Sequence, residues 1–269
     1  DNPATRAELA QYYQSVARLD QGVGRLIKHL QETGTYENSL IVYISDNGIA
    51  FPGAKTNVYQ PGVKLPCIIK NPGGLNKGTV SDAMVNWTDL APTILDFAGA
   101  LDASKELIHK EYEANKDRWD NTHVPDFHGK SFKKVLETGE SKGWDTTYAS
   151  HTFHEVTMYY PMRTIITRKY KLIWNIAHYL PYPHAQDLWQ SATWQYALQN
   201  EGVTFGGKST GFMTYRPEFE LYDLENDPEE SVNLAEKDKY HDVLENLKGK
   251  IKTFQQNTQD PWAIKWKHE

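Results

Sequence analysis

Between residues 3 and 32 the apolar positions Leu9, Tyr12, Tyr13, Val16, Leu19, Val23, Leu26, Ile27 and Leu30 recur at spacings of three and four, which predicts one long amphipathic helix stopped by Gly34. The pattern then changes. Residues 40–45 (LIVYIS) form a continuous apolar, β-branched run, the pattern of a strand buried on both faces of a parallel sheet. Residues 65–70 (LPCIIK) predict a second strand, and residues 87–99 a helix with Thr88 as its cap and Asp89 in its first turn. Helices alternating with such strands belong to an α/β sandwich, here over residues 1–100.

Residues 101–145 are polar and charged with a few apolar anchors, which reads as a connecting segment carrying short helices. From residue 146 the period shortens. Residues 162–167 and 170–176 predict two strands joined at Arg168-Lys169 as a hairpin, and residues 219–224 (FELYDL) a further strand. A helical segment is expected near residues 185–199. Val243, Leu244, Leu247, Ile251 and Phe254 mark one face of a terminal helix over residues 240–254. Residues 146–269 therefore read as a smaller antiparallel sheet with helices.

Composition narrows the function classes. The 269 residues suffice for a sizeable core, and a net charge of −6 argues against nucleic acid as a partner, because phosphates select a basic face. Any anionic ligand must be held locally. No apolar run approaches the ~18 residues of a membrane span. The single cysteine, Cys67, excludes an intramolecular disulfide and a cysteine-based zinc site. Eight Trp, sixteen Tyr and nine Phe are enough to line a sugar cleft, although core burial explains most aromatics.

Candidate chemistry begins where the first strand ends. Asp46 and Asn47 follow LIVYIS at the carboxyl end of a strand, where open α/β sheets bind ligands, and their hard oxygens suit Ca²⁺ or Mg²⁺. The same SDNG tetrapeptide is an ordinary turn, and two oxygens do not fill a calcium shell of about six to eight. Lys55, nine residues on in a Gly/Pro-punctuated loop, could clamp a tetrahedral anion beside a metal or simply be solvated. His151, His154 and Glu155 invite a zinc reading, but H-E-x-x-H fails because Met158 stands where the second His belongs. His123 and His128 flank a polar loop, and Asn86-Trp87-Thr88 fits a glycosylation sequon.

Several blocks in order, YYQSVARLDQGVGRLIKHL, SDNG, YQPGVKLPCII, DLAPTILDFAG and FELYDLENDPEESVNLA, together resemble the sulfatase family of the alkaline-phosphatase superfamily, over nearly the whole chain. DNGIAFPGAKTNVYQPG and SHTFHEVTMYYPMR are most similar to its N-sulfatase (sulfamidase) branch. The resemblance implies a sulfatase-type α/β sandwich followed by a smaller antiparallel-sheet plus helix subdomain. It implies that Asp46 and Asn47 are Ca²⁺ ligands, that Lys55 contacts the sulfate where the branch carries Arg, and that His154 and Glu155 lie in the segment approaching the sugar.

The family nucleophile, a Cys or Ser of C/S-x-P-x-R oxidised to formylglycine, has no counterpart here: Cys67 begins C-I-I-K-N. An early Asp-Asp pair that would complete the metal site is also missing. The resemblance therefore implies the carboxy-terminal half of a sulfatase, inactive alone, with the amino-terminal half of the same protein as its partner and a sulfated sugar as substrate. N-sulfoglucosamine of heparin or heparan type is the leading expectation. The alternatives are an O-sulfatase on glycosaminoglycan sugars, a phosphodiesterase or phosphonate hydrolase of the superfamily, and a non-catalytic sulfated-glycan binding module. A periplasmic or secreted bacterial location is expected, with a lysosomal one as alternative.

Overall fold

A computed structural model describes residues 1–74, 76–118, 126–155 and 158–267, so His123 lies outside the described residues. Contacts group the described residues into two units, one of residues 1–37, 42–69 and 148–269, the other of residues 38–41 and 70–147. The first brings the 42–69 stretch together with residues 148–269.

The first unit opens on α1 (Pro3–Glu32), capped by Asn2, whose side chain accepts a hydrogen bond from Thr5 N, with Pro at the helix start. The helix is present with the expected bounds. Its apolar stripe is exposed, however: Tyr13, Leu19 and Leu26 are 63%, 52% and 67% accessible. β1 (Ile41–Ile44) is only half-buried, against the expectation of a strand covered on both faces, because it stands with β2 (Cys67–Lys70) in a two-stranded sheet. Between them lies the short helix α2 (Gln60–Val63).

In the second unit, α3 (Leu90–Phe97) follows a single 3₁₀ turn. That turn is capped by Asn86 and not Thr88: Asn86 accepts from Thr88 N, and Asp89 reaches back to Asn86 N at 2.7 Å, a reciprocal capping box. The Asn86 amide also donates to Thr147 Oγ1. The connecting segment holds a fourteen-residue helix, α4 (Leu101–Ala114), and the short α5 (Lys133–Thr138) closed by Gly139 in the left-handed region.

The remaining elements build the core of the first unit. β3 (Thr146–His154), β4 (Met158–Thr167), β5 (Tyr170–Asn175) and, last in chain order, β8 (Phe219–Asp223) form one sheet in the order β3-β4-β5-β8. β4 and β5 pair antiparallel across the expected Arg168-Lys169 turn, with Ile165 opposite Leu172. β5 and β8 pair antiparallel, with Lys171 opposite Tyr222 and Ile173 opposite Glu220. The helix expected over residues 185–199 is two helices, α6 (Gln186–Trp189) and α7 (Ala192–Gln199). Ser191 breaks it by capping α7 through Trp194 N, and Glu8 of α1 accepts from Ala192 N and Thr193 N at 2.7 and 2.9 Å. β6 (Thr204–Phe205) and β7 (Lys208–Ser209) make a small hairpin leading into α8 (Thr210–Thr214).

Period-two alternation sorts the sheet into two faces. Leu172, Trp174 and Leu221 pack on Leu244, Leu247 and Ile251 of α9 (His241–Asn257), and Trp174 stacks on Trp266 at 3.7 Å. Each such apolar side chain contributes about 1.5–3 kcal/mol on burial. The opposite face carries Met162, Ile173 and Tyr222, packed with Val58 and Tyr59. That face also buries Lys171, Asn175 and Glu220, all at 0% exposure. Buried charge on one face of a sheet is costly unless paired, and its partners come from the 55–60 stretch and the loops around it.

Candidate functional site

Asp46 and Asn47 lie directly beyond β1, and both are exposed. Locally they form a turn: Asp46 Oδ1 accepts from Asn47 N at 2.9 Å, Ser45 Oγ donates to Asn47 O, and Asn47 Nδ2 donates to Gly48 O. Gly48 then runs against the backbone of Pro61, where a Cβ would stand 2.2 Å from the Pro61 carbonyl oxygen. Gly62 is packed as tightly, with a Cβ position 2.2 Å from Asn57 O. These two contacts fold residues 45–62 back on themselves. Lys55 N thereby donates to Ile49 O at 3.0 Å, which ties the candidate anion-binding residue to a position two residues past Asn47.

The loop is then fixed almost residue by residue. Lys55 Nζ donates to Asp187 Oδ2 at 2.5 Å. The Tyr182 hydroxyl donates to Thr56 O at 2.8 Å, and Thr56 Oγ1 lies 2.8 Å from the same hydroxyl. Arg216 Nη2 donates to Asn57 Oδ1 at 2.6 Å. Val58 is buried in the apolar cluster. The Tyr59 hydroxyl donates to Glu220 Oε2 at 2.7 Å, and Gln60 N to Glu230 Oε2 at 2.6 Å. Six consecutive residues are thus held by side chains more than a hundred positions later.

Four of these five anchors, Asp187, Arg216, Glu220 and Glu230, are charged side chains. Glu220 also accepts from Tyr222 and Asn175, at 2.5 and 2.7 Å. Burial, followed by the neighbouring Glu220 charge, pushes the Tyr59 hydroxyl well above its ordinary range, so it remains a donor. Glu230 pairs with Lys171 at 2.7 Å, and Lys208 Nζ donates to the Glu230 carbonyl. Burial brings Lys171 down to about 8 against the opposing pull of Glu230. Arg216, 3% exposed, sits among three tyrosine rings: Tyr182 at 3.8 Å, Tyr59 at 5.3 Å and Tyr160 at 5.9 Å.

His154 ends β3, and Glu155 follows with φ +57, in the left-handed region. Their side chains approach to 3.5 Å. Burial alone would raise the Asp187 carboxyl; the bonds from Lys55 and Leu188 N, with the charges of Lys55 and His154, outweigh it and hold the group below its usual range. Asp187 therefore stays anionic and paired with Lys55. His151 Nδ1 lies 3.0 Å from Tyr160 O, and burial, against the opposing bond to Tyr160 and with nearby positive charge, pushes the ring below its ordinary range.

Among the described residues no group of three or more His, Cys, Asp or Glu side chains is placed to hold a metal. The donor chemistry of Asp46 and Asn47 nevertheless suits a hard cation: two consecutive exposed side chains that each offer an oxygen.

Asp187, Tyr182, Arg216, Glu220 and Glu230 escaped the sequence reading. One signal was available for Glu220: an acid at the Tyr222-side position of an apolar strand faces inward by alternation. Nothing in the local pattern marks Asp187 or Tyr182.

Residues 1–100 match the Sulfatase family. N-sulphoglucosamine sulphohydrolase of Homo sapiens is 36% identical over 270 residues, covering 98% of this chain and 50% of that protein. N-acetylglucosamine-6-O-sulfatase of Bacteroides thetaiotaomicron is 27% identical over 259 residues, covering 93% of this chain and 36% of that protein. The solved complex of BT4656 with its substrate D-glucosamine-2-N,6-O-disulfate superposes with a TM-score of 0.62 at 24% identity, over 91% of this chain and 40% of that one, a likeness of fold. The chain spans half the length, or less, of the relatives it matches.

Proposed function

Because this chain belongs to the sulfatase family, we propose that it forms the carboxy-terminal part of a Ca²⁺-dependent sulfohydrolase that releases sulfate from sulfated glucosamine, with N-sulfoglucosamine of heparin or heparan type as the substrate. The observation that carries the proposal is the loop of residues 45–62, which draws Lys55 toward the Asp46-Asn47 turn and pins it from 55 to 60. The whole-chain similarity to an N-sulphoglucosamine sulphohydrolase supports the substrate class.

In this reading Lys55 offers its ammonium to a sulfate oxygen, where charge builds as the S–N or S–O bond breaks. Asp187 keeps that ammonium aimed until sulfate enters and shares it. Asp46 and Asn47 would hold Ca²⁺, which when bound offsets charge on the sulfate. His154 and Glu155 take the sugar, with hydroxyl donors and acceptors matched to an imidazole and a carboxylate. The formylglycine nucleophile and the remaining metal ligands belong to the amino-terminal half, the chain's partner. The exposed α1 stripe and half-buried β1 fit a chain whose neighbour covers them.

The isolated 269-residue chain is accordingly inactive and binds Ca²⁺ weakly. The full-length polypeptide is tested by sulfate release from N-sulfoglucosamine and from glucosamine 6-sulfate. Preference for the first supports the proposal. Preference for the second favours the 6-O-sulfatase reading, which the similarity to an N-acetylglucosamine-6-O-sulfatase keeps in view. Binding of either sugar without release from the full-length protein would leave only a glycan-binding module.

A further inference from the structure

The order of Lys55 is not its own. Its side chain is 23% exposed, and its ion pair with a 43% exposed Asp187 is weak in water. The next two residues are where the loop is secured. Thr56 adopts φ +63, an unfavourable conformation for a β-branched residue that persists only where surroundings impose it. Its carbonyl accepts from the Tyr182 hydroxyl, and the neighbouring Asn57, 5% exposed, accepts from Arg216.

Tyr182 and Arg216 are themselves one object. The guanidinium lies 3.8 Å from the Tyr182 ring, and its Nε donates to Met213 O at 3.2 Å. Tyr182 N donates to Thr214 O at 2.7 Å, so both side chains are set by α8. Thr56 Oγ1 and Asn57 Nδ2 both donate to the Lys55 carbonyl, at 2.6 and 3.0 Å. Tension on Thr56 or Asn57 is therefore transmitted to Lys55 itself.

We propose that Arg216 and Tyr182 form a clamp that positions Lys55: the stacked pair fixes the Thr56-Asn57 backbone in its strained form, and that backbone presents the Lys55 ammonium. They are positioning residues that act through Lys55 and touch no substrate. The inference rests on the sulfatase reading only for the consequence in turnover; the clamp is a statement about the loop.

Tyr182→Phe removes one hydroxyl and keeps the ring stack. In this chain it is expected to speed amide exchange at Ala54, Lys55 and Asn57 about tenfold, with the strand amides of Ile165 and Leu172 unchanged, as a local opening requires. Unchanged loop exchange, or faster exchange throughout, overturns the clamp. Arg216→Ala opens a guanidinium-shaped gap, and millimolar guanidinium chloride should restore loop protection where sodium chloride does not. Failure to restore it in a folded variant also overturns the clamp, and if that variant does not fold Tyr182→Phe decides.

In the full-length protein Tyr182→Phe should lower kcat/KM for N-sulfoglucosamine about tenfold, and have no further effect in a Lys55→Ala background. Additive losses overturn action through Lys55. A loosened loop with unchanged turnover would instead keep the clamp and remove Lys55 from the reaction.

Discussion

Lys55 and Asp187 stand 132 positions apart in the chain, yet their charged atoms meet at 2.5 Å. The pair joins the loop after β1 to α6. Because both groups reach solvent, the contact is screened, and a double-mutant cycle of Lys55→Ala and Asp187→Ala in urea unfolding should give a coupling of about 0.5–1 kcal/mol that shrinks in 1 M salt. A coupling of zero at low salt would mean the two side chains do not meet in solution.

Glu220 poses the opposite case, a carboxylate at 0% exposure that accepts from Tyr59, Tyr222 and Asn175. Removing it strands three buried donors. Glu220→Ala should cost about 3–5 kcal/mol in urea unfolding, and Glu220→Gln clearly less, since the amide oxygen still accepts. Equal costs for the two variants would show that volume rather than hydrogen bonding sets the stability of this face.

His184 supplies the pH dependence. Packed at ring distances of 5.1 Å from Tyr182 and 4.2 Å from Trp194, it is pushed by burial, and then by the Arg216 charge, down to about 4. The unfolded chain takes up this proton near pH 6.5 and the folded chain does not, so stability is full above pH 6.5 and falls as pH drops toward 4. The loss reaches about 3 kcal/mol. His184→Phe should flatten the difference between urea midpoints at pH 7 and pH 5; an unchanged difference would assign it to other groups.

Two glycines should respond oppositely to the same substitution. Gly24 lies inside α1 with open space around its Cβ position, so Gly24→Ala should stabilise by about 0.5–1 kcal/mol. Gly48→Ala drives a methyl into the Pro61 carbonyl and should destabilise by about 1–3 kcal/mol while displacing the Asp46-Asn47 turn. Thermal unfolding of the two variants reads both signs.

Elements with long, regular periods were legible: α1, the β4–β5 hairpin and α9 follow directly from apolar spacing. Breaks set by single side chains were not. The split between α6 and α7 depends on Ser191 and on Glu8 from 184 residues earlier in the chain, which no local window contains. The half-burial of β1 was misjudged because an apolar run reports what a strand can bury, not how many neighbours this chain provides. Asp46, Asn47 and Lys55 are candidates by residue type and order, and the fold joins them in one loop through the Lys55 N to Ile49 O bond. Asp187, Tyr182 and Arg216 become visible only when the fold brings residues 182–216 to the loop.

The central claim is that the loop of residues 46–60 recognises sulfate beside a calcium ion, and it is tested most directly by sulfate release from N-sulfoglucosamine by the full-length polypeptide carrying this chain, as wild type, Lys55→Ala and Asp46→Ala. The wild type should turn over in Ca²⁺ and each variant should lose about a hundredfold or more in kcat/KM, the scale of removing a group that meets transition-state charge. Wild-type rates in both variants would contradict the claim.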